Sequence, residues 1–243
     1  MIVAKHIRGI LFDYGGTIDS NGVHWAEVMW QAYSAENVPV TKEVFREAYI
    51  HGERTLATKP LVRPDHTFLD MLLLKTDIQL KWLKTKGRLP AGARLSGWKY
   101  HIAAACYAYA KRTTAGTRPV LSALARKYPL ALVSNFYGNI ASVLEDFYIG
   151  IYFSGIIESS VVGVRKPDPQ IFRLGVKMLG LQADEVAVVG DSYEKDILPS
   201  ATIGCHTVWL KKTGWNAFSG DETADAVISD FAELKQVFGV DGH

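Results

Sequence analysis

Four short stretches of this chain hold the residue types that do nucleophilic or metal chemistry. The first is Leu11-Phe12-Asp13-Tyr14-Gly15-Gly16-Thr17, which sets a carboxylate directly after an apolar run. A carboxylate so placed serves as a nucleophile or a metal ligand. The glycines let backbone come close to an anion with amides free to bind it, and Thr17 adds a hydroxyl. The bland alternative is a plain turn. The second is Ser134-Asn135, where Ser134 either binds an anionic oxygen or caps the next helix. In the third, Val164-Arg165-Lys166-Pro167-Asp168-Pro169, Pro167 keeps Lys166 out of helical geometry and in a loop. There it is either a solvated surface lysine or a charge-neutralising group. The fourth, Gly190-Asp191-Ser192-Tyr193-Glu194-Lys195-Asp196, carries two carboxylates that suit a hard cation such as Mg²⁺ or, more simply, a helix start.

The elements that must position these groups follow from hydrophobic pattern. Ile7 to Phe12 reads as a short strand ending at Asp13. Buried-strand runs recur at Leu130–Val133, more weakly at 155–157, then at Val186–Val189, Thr207–Leu210 and Ala226–Ile228. Asp168-Pro169 opens a helix, and a short final helix starts near Phe231. Continuous apolar strands alternating with helices predict an α/β fold, a parallel sheet covered on both faces. Three strands end in Asp13, Ser134 and Asp191, and parallel strands place those ends on one edge, where open α/β folds hold ligands.

Residues 21–116 have a different texture. Trp25, Val28, Met29 and Ala32 fall at helical spacing, and Thr41 caps a helix that presents Val44, Phe45 and Ala48. Further helices are expected from Asp65 through Leu74 and from about Leu95 to Ala110. The block therefore reads as an all-helical domain, 21–116, inserted into an α/β core of residues 1–20 and 117–243. Its aromatics, including Trp25, Trp82, Trp98 and Tyr107, read mainly as its own core.

Composition narrows the classes. The net charge of +2 over 243 residues gives no electrostatic footprint for nucleic acid, and the basic stretch 81–88 reads as a solvated helix end. No apolar run is long enough to span a membrane, and the N-terminus lacks the pattern of a signal peptide. Two distant cysteines, Cys106 and Cys205, indicate neither a disulfide framework nor a zinc site, so a reducing cytoplasm is the expected compartment. Residues 20–116 carry 14 Lys+Arg against 8 Asp+Glu, whereas the remainder carries 13 against 17. An anionic substrate between the two parts would suit that asymmetry, although solvated surface explains it as well.

Taken in order and in strand context, the four stretches resemble the haloacid dehalogenase (HAD) superfamily, over about 150 residues of core. The helical block resembles its C1-type cap, and the core a Rossmann-like sheet. The resemblance implies a Mg²⁺-dependent hydrolase of a small phosphorylated metabolite, with no nucleic-acid or membrane partner. Asp13 would attack phosphorus and form an aspartyl-phosphate. The metal would be held by Asp13, the backbone carbonyl of Gly15 and Asp191, with Asp196 binding its waters or orienting Lys166. Gly16, Thr17, Ser134, Asn135 and Lys166 would hold the phosphoryl oxygens.

One position departs from the pattern. Most phosphatases of that superfamily carry a second aspartate two residues after the nucleophile, as general acid and base; here that position is Gly15. Asp19 and His24 lie close in sequence and could supply a proton. The departure leaves open a phosphonatase-like C–P hydrolase using a cap lysine, for which Lys42, Lys59 and Lys75 have no matching context, and a non-catalytic phospho-metabolite binding protein.

Overall fold

The computed structural model describes residues 6–212 and 223–240. Six strands, β1 (Gly9–Phe12), β2 (Leu130–Ser134), β3 (Gly155–Glu158), β4 (Val186–Gly190), β5 (His206–Leu210) and β6 (Ala226–Ile228), form one sheet in the order β3-β2-β1-β4-β5-β6. Every neighbouring pair is parallel. β1, β2 and β4 are buried along their whole length, which is why they read as unbroken apolar runs.

Alternation along these strands makes two cores. Ile10, Phe12, Leu130, Leu132, Ala187 and Val189 face one side. Leu11, Ala131, Val133, Val186 and Val188 face the other, against Ile171, Phe172 and Val176 of a single covering helix. The chain reverses the direction of strand addition at β1, which has β2 on one side and β4 on the other. The crevice at the carboxyl ends of those three strands is where such a sheet binds ligands.

Between β1 and β2 the chain is helical: α1 (Trp25–Ala35), α2 (Lys42–Thr58), α3 (Phe68–Thr85) and α4 (Leu95–Ala125). Thr41 caps α2 as expected. The third helix starts at Phe68, because Thr67 and Asp70 form a reciprocal capping box there. α4 extends well past Ala110 and carries Pro119 in its interior. The residue 116/117 junction therefore lies inside a continuous helix, whose last turns pack on the sheet through Val120, Leu121 and Leu124. The remaining helices are α5 (Ile140–Asp146), α6 (Ser159–Val162), α7 (Gln170–Leu179), α8 (Leu198–Ala201) and α9 (Leu234–Phe238). The N-cap of α7 is Pro169, one residue later than expected, and Asp168 before it accepts from the Gln170 amide at 2.9 Å. Both cysteines are buried and unpaired. Among the described residues no helix is long and apolar enough to cross a membrane.

Gly175 shows how tightly α7 lies on the sheet: an added Cβ would stand 2.8 Å from Val133 and 2.9 Å from Leu11. Gly116, exposed in α4, has nothing within 4 Å of that point. Alanine gains about 1 kcal/mol of helix propensity over glycine, but overpacking a core costs about 1–3 kcal/mol. Gly116→Ala should therefore raise the urea midpoint and Gly175→Ala lower it, a sign difference that two denaturation curves decide.

Candidate active site

The crevice gathers the strand-end residues. Asp13 follows β1 and its amide donates to the Val189 carbonyl at 2.9 Å, which locks its backbone between β2 and β4. Asp191 follows β4, and Asp196 sits on a single π-helical turn, Tyr193–Ile197. Such turns are uncommon and recur at functional sites. The Ser192 amide donates to Asp196 Oδ2 at 3.1 Å, fixing that carboxylate. Two glycines make room for the acids. A Cβ on Gly16, whose φ is +99°, would lie 2.3 Å from the Asp191 carboxylate, and one on Gly190 would lie 2.5 Å from that of Asp196.

Carboxylate oxygens of Asp13, Asp191 and Asp196 all lie within 4.8 Å of one another. Lys166 answers them: its Nζ is 2.6 Å from Asp13 Oδ1 and 2.6 Å from Asp196 Oδ1. Burial would lower the lysine's pKa, but the two carboxylates beside it hold it above its ordinary value. Burial and the neighbouring Asp196 push Asp13 up to about 6 against the pull of Lys166, while burial with Asp13 and Asp196 raises Asp191 well above the carboxylate range. With all three acids ionised, one ammonium leaves two negative charges unbalanced, and the raised pKa values of Asp13 and Asp191 reflect that deficit of positive charge. That deficit, in an all-oxygen donor set, fits a divalent cation.

The cluster forms the floor of a cavity of about 210 Å³ whose lining includes Gly15, Gly16, Ser134 and Asn135. Some expected phosphate-binding groups are engaged elsewhere. Thr17, fully buried, donates its hydroxyl to Asp191 Oδ1 at 3.1 Å and orients that acid. The Asn135 amide is spent on the Lys166 backbone, accepting from its N–H at 2.9 Å and donating to its carbonyl at 3.1 Å. The Gly16 amide donates to Asp19 Oδ1 at 2.8 Å. Asp19 is fully buried and accepts from Trp25 Nε1 at 2.8 Å on its other oxygen. Burial pushes its carboxyl up to about 7, and the two donors oppose that shift. One oxygen thus holds the glycine loop and the other ties it to Trp25 at the start of α1. His24 Nδ1 accepts from the Ala26 amide, and burial lowers its pKa.

Sequence reasoning named Lys75 only as a cap lysine without matching context and missed its partners Glu53 and Tyr137. Lys75 of α3 is buried in the cavity, 2.7 Å from Glu53 of α2, and Glu53 accepts from the Tyr137 hydroxyl at 2.7 Å. A helical lysine reads as surface, so no sequence signal marks it. Burial would lower the Lys75 pKa, yet Glu53 and Tyr49 hold it above the ordinary value. It is a paired cation, the wrong state for amine attack on a carbonyl.

The sequence profile of the haloacid dehalogenase-like hydrolases matches residues 7–204. The chain belongs to that family. Among curated relatives, this HAD-like hydrolase is 29% identical to a phosphoglycolate phosphatase of Pectobacterium atrosepticum, over 96% of this chain and 93% of that protein. It is 35% identical over 86 residues to a glyceraldehyde 3-phosphate phosphatase of Methanocaldococcus jannaschii, which is 35% of this chain and 38% of that protein. Among solved structures, the magnesium-bound putative HAD-hydrolase YfnB of Bacillus subtilis superposes with a TM-score of 0.61 at 17% identity, covering 96% of this chain and 99% of that one. An L-2-haloacid dehalogenase superposes at 0.63 with 22% identity, covering 97% and 100%. These two structures share the fold.

The HAD-like acidic cluster has a measurable signature. Without a cation, a raised Asp13 pKa penalises the folded state; the penalty is absent below about pH 3.8, grows towards about 6 and is complete above it. Millimolar MgCl₂ should therefore raise the Tm clearly at pH 8 and much less at pH 5. Asp191→Asn should raise the metal-free Tm at pH 8 while abolishing the Mg²⁺ shift. Equal shifts at both pH values, or a shift retained in Asp191→Asn, would contradict a cation site among these carboxylates.

Proposed function

We propose that this protein is a Mg²⁺-dependent phosphohydrolase acting on a small phosphorylated metabolite, with Asp13 as nucleophile and the helices between β1 and β2 as a cap over the site. The observation that carries this reading is the Lys166 ammonium, 2.6 Å from both Asp13 and Asp196 and beside Asp191 at the sheet's switch point. The phosphoglycolate phosphatase of similar length supports phosphomonoesters as the substrate class.

An Asp13 oxygen attacks phosphorus as the P–O ester bond breaks, and the leaving alkoxide takes a proton. Water then attacks the aspartyl-phosphate, giving a proton to solvent, releasing phosphate and restoring the carboxylate. Lys166 neutralises charge on the phosphoryl oxygens and keeps Asp13 ionised; Ser134 lines the cavity where a phosphoryl oxygen would lie. Asp13, the Gly15 carbonyl and Asp191 are the oxygen donors for Mg²⁺, with Asp196 holding its waters or Lys166. The ion would supply further charge stabilisation to the transferring group. Most of the catalysis is positioning and electrostatics.

No side chain at position 15 protonates the leaving group, and both oxygens of Asp19 are occupied. Esters of acidic alcohols or phenols should therefore turn over fastest. A Cβ on Gly15 would meet nothing within 4 Å, and its φ is not positive, so an aspartate fits there without strain. General acid–base groups contribute about 10²–10⁴ in rate. Gly15→Asp should raise kcat on alkyl phosphates towards that factor and change aryl phosphates much less, whereas Asp13→Asn should abolish phosphate release from both. A folded Gly15→Asp protein with unchanged alkyl turnover would sink the account of the missing acid, and undiminished turnover by Asp13→Asn would sink the mechanism.

A further inference from the structure

The cavity has a cationic wall that the chemistry at Asp13 does not use. Lys75 is 5% exposed, lies among the cavity-lining residues, and comes from α3 rather than from the sheet. Glu53 Oε1 pairs with its ammonium at 2.7 Å, and the Tyr137 ring lies 5.1 Å from that ammonium. Glu53 is itself held on its second oxygen by the Tyr137 hydroxyl, from the loop after β2. The lysine is thus held in the cavity by one ion pair, and its three N–H donors are available to a ligand there. As a mere tie between helices, a buried ion pair would be an expensive choice, since an apolar pair of similar volume is often as stable or more so. A cation kept at that cost in a ligand cavity is explained by an anion that completes it.

Charge and size say what kind of anion. Arg165 and Lys195, both exposed, join Lys75 in lining the cavity, and as exposed cations they favour the approach of an anion. Much of the remaining helical wall is apolar, with Trp25, Phe68, Met71 and Leu72. A volume of about 210 Å³ lies below the roughly 300–1,000 Å³ of drug-sized pockets. That volume matches a phosphoryl group with a leaving group of a few carbons.

We infer that Lys75, positioned by Glu53 and Tyr137, receives a carboxylate on the leaving group, so that the substrates are phosphomonoesters of small hydroxy acids. This rests on the phosphohydrolase reading for the substrate's other end. Lys75 is a specificity residue, not a catalytic one.

The test separates binding from turnover. Titration calorimetry in an Asp13→Asn background compares 2-phosphoglycolate with 2-hydroxyethyl phosphate, which has a neutral hydroxyl in place of the carboxylate. A preference of about 10- to 100-fold for the carboxylate is expected, the worth of a hydrogen bond to a charged group. Adding Lys75→Met should erase it while leaving the Kd of the neutral ester within about 3-fold. Should Lys75→Met not fold with Glu53 left unpaired, Lys75→Met/Glu53→Gln removes both charges and should erase the preference equally. No preference in the Asp13→Asn protein, or one that persists without Lys75 and so belongs to the rim cations, overturns the inference. Turnover of both esters by wild type with steady-state KM favouring the carboxylate, and only that KM rising in Lys75→Met at constant kcat, supports it. Absence of turnover with both esters in wild type would fail the hydrolase reading alone, the calorimetric preference still deciding Lys75.

Discussion

Three carboxylates that repel one another are held together by one ammonium, and most of the site's construction follows from that contact. Lys166 touches two of the acids at 2.6 Å, and all three oxygens sets lie within 4.8 Å. Such a cluster spreads apart unless its backbone is rigid. β1 and β4 supply the rigidity, pairing in register from Gly9–Val186 to Phe12–Val189 immediately before the acids. Gly16 and Gly190 supply the space, for any side chain there would overlap a carboxylate. Thr17, the Ser192 amide and Asn135 each fix one member, the last by gripping the Lys166 backbone from both sides. These polar groups do their work on the protein, and the negative excess they hold in place is what attracts a cation.

The same arrangement explains why the chain tolerates glycine at position 15. Asp19 approaches the Gly15–Gly16 loop closely enough to accept the Gly16 amide, and the Trp25 indole ties its other oxygen to α1. The loop is therefore held by a carboxylate that itself lines the cavity, and the space beside Gly15 stays open.

How far this could be read from sequence depends on whether a residue's surroundings are local. Asp13, Ser134 and Asp191 were legible because each ends an unbroken apolar strand, and parallel strands put their ends together. Lys166 was legible as a loop residue through Pro167. Thr17 and Asn135 were legible as polar groups near the site but not in their partners, since a hydroxyl or amide serves an anion and a neighbouring side chain equally well. The far end of α4 was hidden by Gly116 and Pro119, two residues that argue against helix. There packing of Val120, Leu121 and Leu124 outweighs propensity, which long-range contact alone decides. Glu53, Lys75 and Tyr137 come from two helices and a loop, and no spacing rule links them.

The charge asymmetry between the helical segment and the rest makes the same point quantitatively. Of the fourteen basic residues between positions 20 and 116, twelve are exposed, Lys99 is half-buried, and Lys75 alone is buried. The excess seen by counting is therefore almost entirely solvated surface, screened at distances beyond about 8 Å in physiological salt. Screening works much less on the buried lysine, whose charge acts across the cavity at short range and reduced dielectric. One lysine carries more consequence for ligand choice than the other thirteen together, and it is burial, not number, that gives it that weight. A second cation at the mouth, Arg165 or Lys195, can hasten arrival of an anion but cannot tell a carboxylate from a phosphate once the ligand is seated. Discrimination needs a group fixed in place and shielded from water, and on that wall of the cavity Lys75, clamped by Glu53 and backed by Tyr137, meets both conditions.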